Sequence, residues 1–124
     1  MITPSGLIYF TDPHYIGSEP EGQKDMCVYV YDPARKKVRR ILGPKQIEKP
    51  NGVHISPDGK TLYVAETNNG SRHGPNPPYE VKLGRMTLNA FPLNRNGTVV
   101  AKAKRVLADF GKETGTDGMT IDVE

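Results

Sequence analysis

Two dipeptides carry the chemistry of this chain: Asn51-Gly52, within Pro50-Asn51-Gly52-Val53-His54-Ile55-Ser56, and Asp117-Gly118, within Thr116-Asp117-Gly118-Met119-Thr120-Ile121-Asp122. Each sets a side-chain oxygen directly before a glycine and a strand-like alternation of residues. An amide oxygen and a carboxylate are hard donors, of the kind that Ca²⁺ gathers in sets of about six to eight with backbone carbonyls and water. Asn51 offers a neutral oxygen; Asp117 adds charge and can serve as a general base. The 3 histidines are not at metal-ligand spacing, which argues against a His-rich zinc site. Asn-Gly and Asp-Gly are also common hairpin turn pairs, so turn chemistry is the competing explanation. Placement separates the two, because both pairs follow a loop and precede a strand and so close no hairpin.

The elements that must position these groups are strands. Helical periodicity is nearly absent, and short alternating segments bounded by Gly, Pro, Asn and Asp recur along the whole length. The spacing predicts strands near 7–11, 26–31, 38–42, 53–56, 62–66, 87–93, 105–109 and 119–123. Pro57-Asp58-Gly59 and Arg95-Asn96-Gly97 read as hairpin turns whose glycines supply a positive φ.

The strands repeat. Pro57-Asp58-Gly59-Lys60-Thr61-Leu62-Tyr63-Val64-Ala65-Glu66 is echoed by Pro4-Ser5-Gly6-Leu7-Ile8-Tyr9-Phe10-Thr11-Asp12, as Asn51-Gly52 is echoed by Asp117-Gly118. Both intervals run somewhat above the roughly 40–50 residues of common propeller blades, and loops near 15–23 and 67–83 absorb the surplus. Both loops follow the second strand of their unit and should leave on the same face, where insertions commonly form a binding surface. The expectation is an all-β chain forming about two to two and a half blades of a β-propeller. Residues 1–50 make a partial blade, 51–116 a complete one, and 117–124 the start of the next. A closed propeller takes at least about four blades, so the reading is of an arc cut from a ring. In the same register, the axial ligand of the previous blade falls just upstream of Met1, and open blade edges favour self-association.

Bulk properties narrow the function classes. A chain of 124 residues with 35% hydrophobic content, 13 Gly and 11 Pro is lean in core and rich in turns. No run is apolar enough to span a membrane, and the first residues lack the basic-then-apolar order of a signal peptide, so a soluble protein of unassigned compartment is expected. The net charge of +3 comes mostly from Arg35-Lys36-Lys37-Val38-Arg39-Arg40, after the turn-like Tyr31-Asp32-Pro33-Ala34. Without interleaved aromatic residues this cluster reads as a solvated hairpin tip and not as a nucleic-acid site. The single cysteine, Cys27, excludes an internal disulfide and reads as a small buried residue.

Three segments carry a resemblance: Gly6-Leu7-Ile8-Tyr9-Phe10-Thr11-Asp12-Pro13-His14, Lys49-Pro50-Asn51-Gly52 through Ala65, and Thr116-Asp117-Gly118-Met119-Thr120-Ile121-Asp122. In this order and spacing the chain resembles the SMP-30/gluconolactonase/luciferin-regenerating family, across essentially its whole length. The resemblance implies a six-bladed propeller with one divalent ion, usually Ca²⁺, in an axial pocket, and hydrolysis of sugar lactones or related esters. By position it implies Asn51 as a metal ligand and Asp117 as both ligand and catalytic base. The family's first-blade Glu and its Asn ahead of the Gly-x-Ile-Tyr-Phe strand have no counterpart here, so the isolated chain should hold the ion poorly. Asp12, His14 and Tyr15, at the start of the first long loop, and Glu66, at the corresponding place in the next unit, are weaker candidates for lining a substrate pocket; Glu19 and Glu21 are weaker still. Two rivals stand beside the hydrolase: a propeller scaffold that binds without chemistry, and a truncated chain with no activity of its own.

Overall fold

Alternation of apolar and polar residues, broken at Pro and Gly, makes the regular structure of the described residues almost wholly strand. The computed structural model describes residues 1–15, 25–70 and 83–122. Among the described residues seven strands follow one another: β1 (Ile8–Asp12), β2 (Cys27–Asp32), β3 (Lys37–Leu42), β4 (Pro50–Ile55), β5 (Thr61–Thr67), β6 (Met86–Pro92) and β7 (Arg105–Asp109). A single 3₁₀ turn, Ala101–Ala103, precedes β7. The strands form two antiparallel meanders, β1-β2-β3 and β4-β5-β6-β7, with β1 of the first sheet lying against β4 of the second. No helix among the described residues is long and apolar enough to cross a membrane.

The turns follow from their residues. Gly59 (φ +71°) and Gly97 (φ +82°) occupy the left-handed region that a side chain resists, and each closes its turn by donating its N–H three residues back. Asp58 Oδ1 accepts from Lys60 N at 3.0 Å and from Ser56 Oγ at 2.6 Å, fixing the Pro57-Asp58-Gly59 tip. The same device appears at the start of the chain, where Gly6 (φ +83°) donates to Thr3 O at 2.9 Å and Ile2 bridges to Ile8. The echo between 4–12 and 57–66 is therefore conformational as well as sequential. The basic cluster begins at a hairpin tip, with Arg35 and Lys36 exposed in the turn between β2 and β3, and runs on into β3 from Lys37.

The core sits between the two sheets. Tyr9, Val28, Val30 and Leu42 from the first face Ile55, Leu62, Val64 and Phe91 from the second, and Ile47 in the crossover seals one side. Burying each of these large side chains contributes about 1.5–3 kcal/mol before conformational entropy is charged against it. Tyr9 crosses the interface to donate its hydroxyl to Gly97 O at 3.1 Å. Cys27 is buried, as its apolar neighbours require.

Two expectations are corrected. β4 begins at Pro50, so Asn51 and Gly52 lie inside the strand and not ahead of it. The strand expected over 119–123 is not formed in 119–122, and position 123 lies outside the described residues. A strand exists only as one side of a hydrogen-bonded ladder. Just ahead of this segment Asp117 O accepts from Gly52 N of β4 at 2.9 Å, and among the described residues no ladder continues from there. The loops expected near 15–23 and 67–83, with Glu19 and Glu21, fall mostly or wholly outside the described residues.

Candidate functional site

Asn51 occupies a β-bulge. Pro50 pairs with Glu66 and Val53 with Val64, so Asn51 and Gly52 together stand opposite the one residue Ala65. A bulge of this kind leaves a residue out of the ladder and re-aims its side chain, and such bulges gather beside active sites. Here the free Gly52 N–H is taken by Asp117 O at 2.9 Å. The approach is close enough that a Cβ on Gly52 would collide with that same carbonyl oxygen and crowd the Gly118 backbone. Glycine after the asparagine is thus a steric requirement for the two motifs to touch.

Neighbouring bonds hold the junction. Thr11, near the end of β1, donates its hydroxyl to Asn51 O at 2.6 Å. Thr67, at the end of β5, donates its N–H to Lys49 O at 3.0 Å and its hydroxyl to Thr116 O. Gly115 packs against Met86 and Thr67. β1, β4, β5 and the 115–118 segment therefore meet at one end of the molecule, with Asn51 half-buried and Asp117 exposed.

Tyr15 lies at the centre of this meeting. Its hydroxyl donates to Thr67 O at 3.2 Å and shares a side-chain hydrogen bond with Asn51. The ammonium of the buried Lys49 sits 4.0 Å from its ring centroid, in cation–π geometry, and donates to Asn69 Oδ1 at 3.0 Å. Burial is the main reason the Tyr15 phenol is pushed above its ordinary pKa; the Asn51 bond pulls it down, and the nearby Asp117 carboxylate pushes it up again. The structure thus brings Asn51, Asp117 and Tyr15 together.

The other candidates are placed differently. Asp12 ends β1 opposite Cys27, half-buried, and its charge is one of the causes that push Tyr29 up to about 12, after burial and the Cys27 contact. His14 is half-buried between Asp12 and Tyr15 in the chain. Glu66 is fully buried on the core face of β5. Its Oε1 accepts from Glu48 N at 2.7 Å and from Arg85 Nε at 2.9 Å, and its Oε2 from Thr87 Oγ1 at 2.9 Å. Lys104 Nζ stands 3.5 Å from Oε2. His54 turns Nδ1 back onto the Ile55 backbone.

Sequence reasoning missed Lys49, Thr11, Thr67 and the Arg85–Glu66–Lys104 network. For the last a signal existed, since Glu66 continues the inward alternation of Leu62 and Val64. A groove of about 700 Å³ lies at the opposite end, among Leu7, His54, Pro57 and Leu93, and none of the candidate residues lines it. It is a mostly apolar gap between hairpin turns, with His54, Asp58 and Arg95 at its walls.

Residues 1–74, more than half the chain, match the SMP-30/Gluconolactonase/LRE-like region. The chain belongs to this family. It is 31% identical over 121 residues to a gluconolactonase of Zymomonas mobilis, an alignment covering 95% of this chain and 31% of that protein. It is 38% identical over 73 residues to antigen Lp49 of Leptospira interrogans, covering 54% of this chain and 14% of the antigen. The chain thus spans well under two thirds of the curated relatives it matches. A family member of this kind is expected to carry a divalent cation, and the donor chemistry can be tested on the residues present. Among the described residues no group of three or more His, Cys, Asp or Glu gathers at metal-binding distance. By donor type alone the Asn51 amide oxygen and the Asp117 carboxylate suit a hard cation, two donors set against the about six to eight that such an ion takes.

Proposed function

We propose that this chain is part of a metal-dependent hydrolase of the gluconolactonase type, acting on a sugar lactone or a related ester. In this reading its three- and four-stranded sheets are successive blades of a six-bladed propeller. Asn51 and Asp117 contribute a neutral and a charged oxygen to a divalent cation, Ca²⁺, near the axis. The observation that carries the reading is the junction itself: Gly52 N reaches Asp117 O at 2.9 Å, and one phenol, Tyr15, senses both side chains.

When bound, the cation would polarise the carbonyl under attack and stabilise the oxyanion. Asp117 holds the base: its exposed carboxylate takes the proton of a water whose oxygen adds to the lactone carbonyl carbon. The same proton then goes to the ring oxygen as the carbon–oxygen bond breaks, leaving a hydroxy acid. Asn51 orients, and gains no proton. Tyr15, Asp12 and His14 stand at the same end and line the approach of substrate. Glu66, sealed behind them, holds the strand ends that carry the junction.

The test is calcium-dependent lactone hydrolysis by the full-length protein, compared with Asn51→Ala and Asp117→Ala. Asp117→Ala should lower kcat by about 10²–10⁴-fold, the usual contribution of a general base. Asn51→Ala should raise the calcium concentration needed for half-maximal rate. Unchanged turnover in both variants would remove the site assignment.

A further inference from the structure

The basic run Arg35-Lys36-Lys37-Val38-Arg39-Arg40 supplies most of the net charge and takes no part in the hydrolase chemistry. Strand parity divides it. From Lys37 onward it lies in β3, whose successive side chains point to opposite faces, so Lys37 and Arg39 share one face while Val38 and Arg40 share the other. Arg40 is accounted for by Asp25, 3.5 Å away. The face of Lys37 and Arg39 turns towards the second sheet. Arg39 stands opposite the core residue Val30 in the ladder, and its Nη2 donates to Asn96 O at 2.7 Å. That bond ties the edge of the first sheet to the hairpin turn after β6, and so brings in Arg95, the neighbour of Asn96. A cleft of about 500 Å³ opens there among Arg35, Lys37, Arg39, Arg95, Asp32 and Asn96. It adjoins the groove among the hairpin turns, sharing Ser5, Leu7 and Arg95 with it, and neither Asn51 nor Asp117 lines it.

We propose that this cleft binds a small anion carrying linked phosphate groups, at a site separate from Asn51 and Asp117. Two of its guanidinium groups are already oriented. Buried Asp32 accepts from Arg35 Nη1 at 2.6 Å and from the Arg35 backbone N–H at 3.2 Å, and Asn96 O holds Arg39. A guanidinium has five N–H donors, so these contacts fix the Arg35 and Arg39 forks while leaving most of their donors unused by the described residues. Such a fork matches phosphate oxygens two at a time, and lysine adds a point charge. The charge count sets the size of the ligand. Four cations against the one carboxylate leave a surplus of three positive charges. A single phosphate group carries about −1.5 to −2 at neutral pH, so two or more in one molecule are needed to match it. A cleft of this volume is within the range of small-molecule sites. No aromatic side chain lines it, as stacking of nucleic-acid bases would require, so the phosphates themselves are what it can read.

Titration calorimetry of the full-length protein with inorganic triphosphate, ATP and orthophosphate tests this. Triphosphate should saturate a single site, and orthophosphate should bind roughly tenfold more weakly or worse. Arg35→Gln and Arg95→Gln, both on exposed side chains, should each weaken triphosphate binding about tenfold, the worth of one charge-assisted hydrogen bond. Arg39→Lys should weaken it too, because it keeps the charge and loses the fork. Lys112→Gln removes an exposed charge outside the cleft and should leave the affinity within about twofold. Comparing ATP with triphosphate decides whether a nucleotide or an inorganic chain is the better source of the phosphates, and tighter binding of either one supports the proposal. Three results overturn it: no saturable binding of triphosphate, equal affinity for orthophosphate, or equal losses in Lys112→Gln and Arg95→Gln, which would reduce the effect to attraction by net charge.

Discussion

The sharpest energetic test is Glu66→Gln, which removes a charge and keeps the shape. Glu66 has no exposed surface, and its oxygens accept from Glu48 N at 2.7 Å, Arg85 Nε at 2.9 Å and Thr87 Oγ1 at 2.9 Å, with Lys104 Nζ at 3.5 Å. The new NH₂ cannot face Glu48 N and Arg85, which are both donors. It must turn to Thr87, whose hydroxyl can reverse and accept, although Asn89 Nδ2 at 3.4 Å and Lys104 Nζ at 3.5 Å on that side are donors too. The Oε1 contacts survive, and what is lost is the Lys104 contact and the negative charge between two cations. Breaking a buried pair from one side costs about 3–5 kcal/mol. Arg85 is 43% exposed and also lies 3.7 Å from Glu48, so it can relax into water or onto that carboxylate. The expected loss is accordingly about 2–3 kcal/mol, at or below the lower end of that range. Urea denaturation at neutral pH should show the midpoint falling by about 1–2 M with an unchanged slope. A midpoint within about 0.3 M of the parent would refute the claim that this carboxylate organises the polar end of the core.

Two other outcomes follow from named contacts. Gly52→Ala should destabilise the protein by about 1–3 kcal/mol, the range for overpacking, because the added methyl meets the Asp117 carbonyl; equilibrium unfolding checks it, and a neutral result would mean that the two motifs are not in contact. Burial pushes the Tyr9, Tyr15 and Tyr29 phenols up, Tyr29 to about 12, so they stay protonated in the fold after they would ionise in the unfolded chain. Stability from them is complete below about pH 10 and falls as pH rises towards 12. Absorbance at the phenolate band should rise for these residues together with loss of the near-ultraviolet dichroism, and ionisation near pH 10 with the fold intact would contradict it.

Much of the fold was legible because the signals are local. Leu62, Val64 and Tyr63 alternate within a few residues, and Pro57-Asp58-Gly59 encodes its own turn, so β5 and the hairpin before it could be placed without knowing what they pack against. The 119–123 segment has the same alternation but lacks a ladder partner among the described residues, and composition cannot supply one. The bulge at Asn51-Gly52 was not legible either. It is defined by the offset between Pro50↔Glu66 and Val53↔Val64 and by the carbonyl of a residue far along the chain. The repeat of an oxygen-bearing residue before glycine singled out both motifs, and the structure joins them through the backbone, from Gly52 N to Asp117 O. Tyr15 could be named only as a residue near a loop, because its roles depend on Thr67, Lys49 and Asn51, each brought to it by tertiary packing. Glu66 was read by its place at the end of the expected 62–66 strand in the repeat, while its inward parity, shared with Leu62 and Val64, pointed to the interior.

The extra residue in β4 has a consequence for how such a protein can change. Pro50 and Val53 both turn inward although three positions separate them, and the irregular step between them absorbs the parity. Whatever stands at position 51 is thereby exempt from the inside–outside rule that governs its neighbours. The strand and the side chain at position 51 are thereby decoupled: a different polar side chain could stand there while the hydrophobic contacts on either flank stay in register.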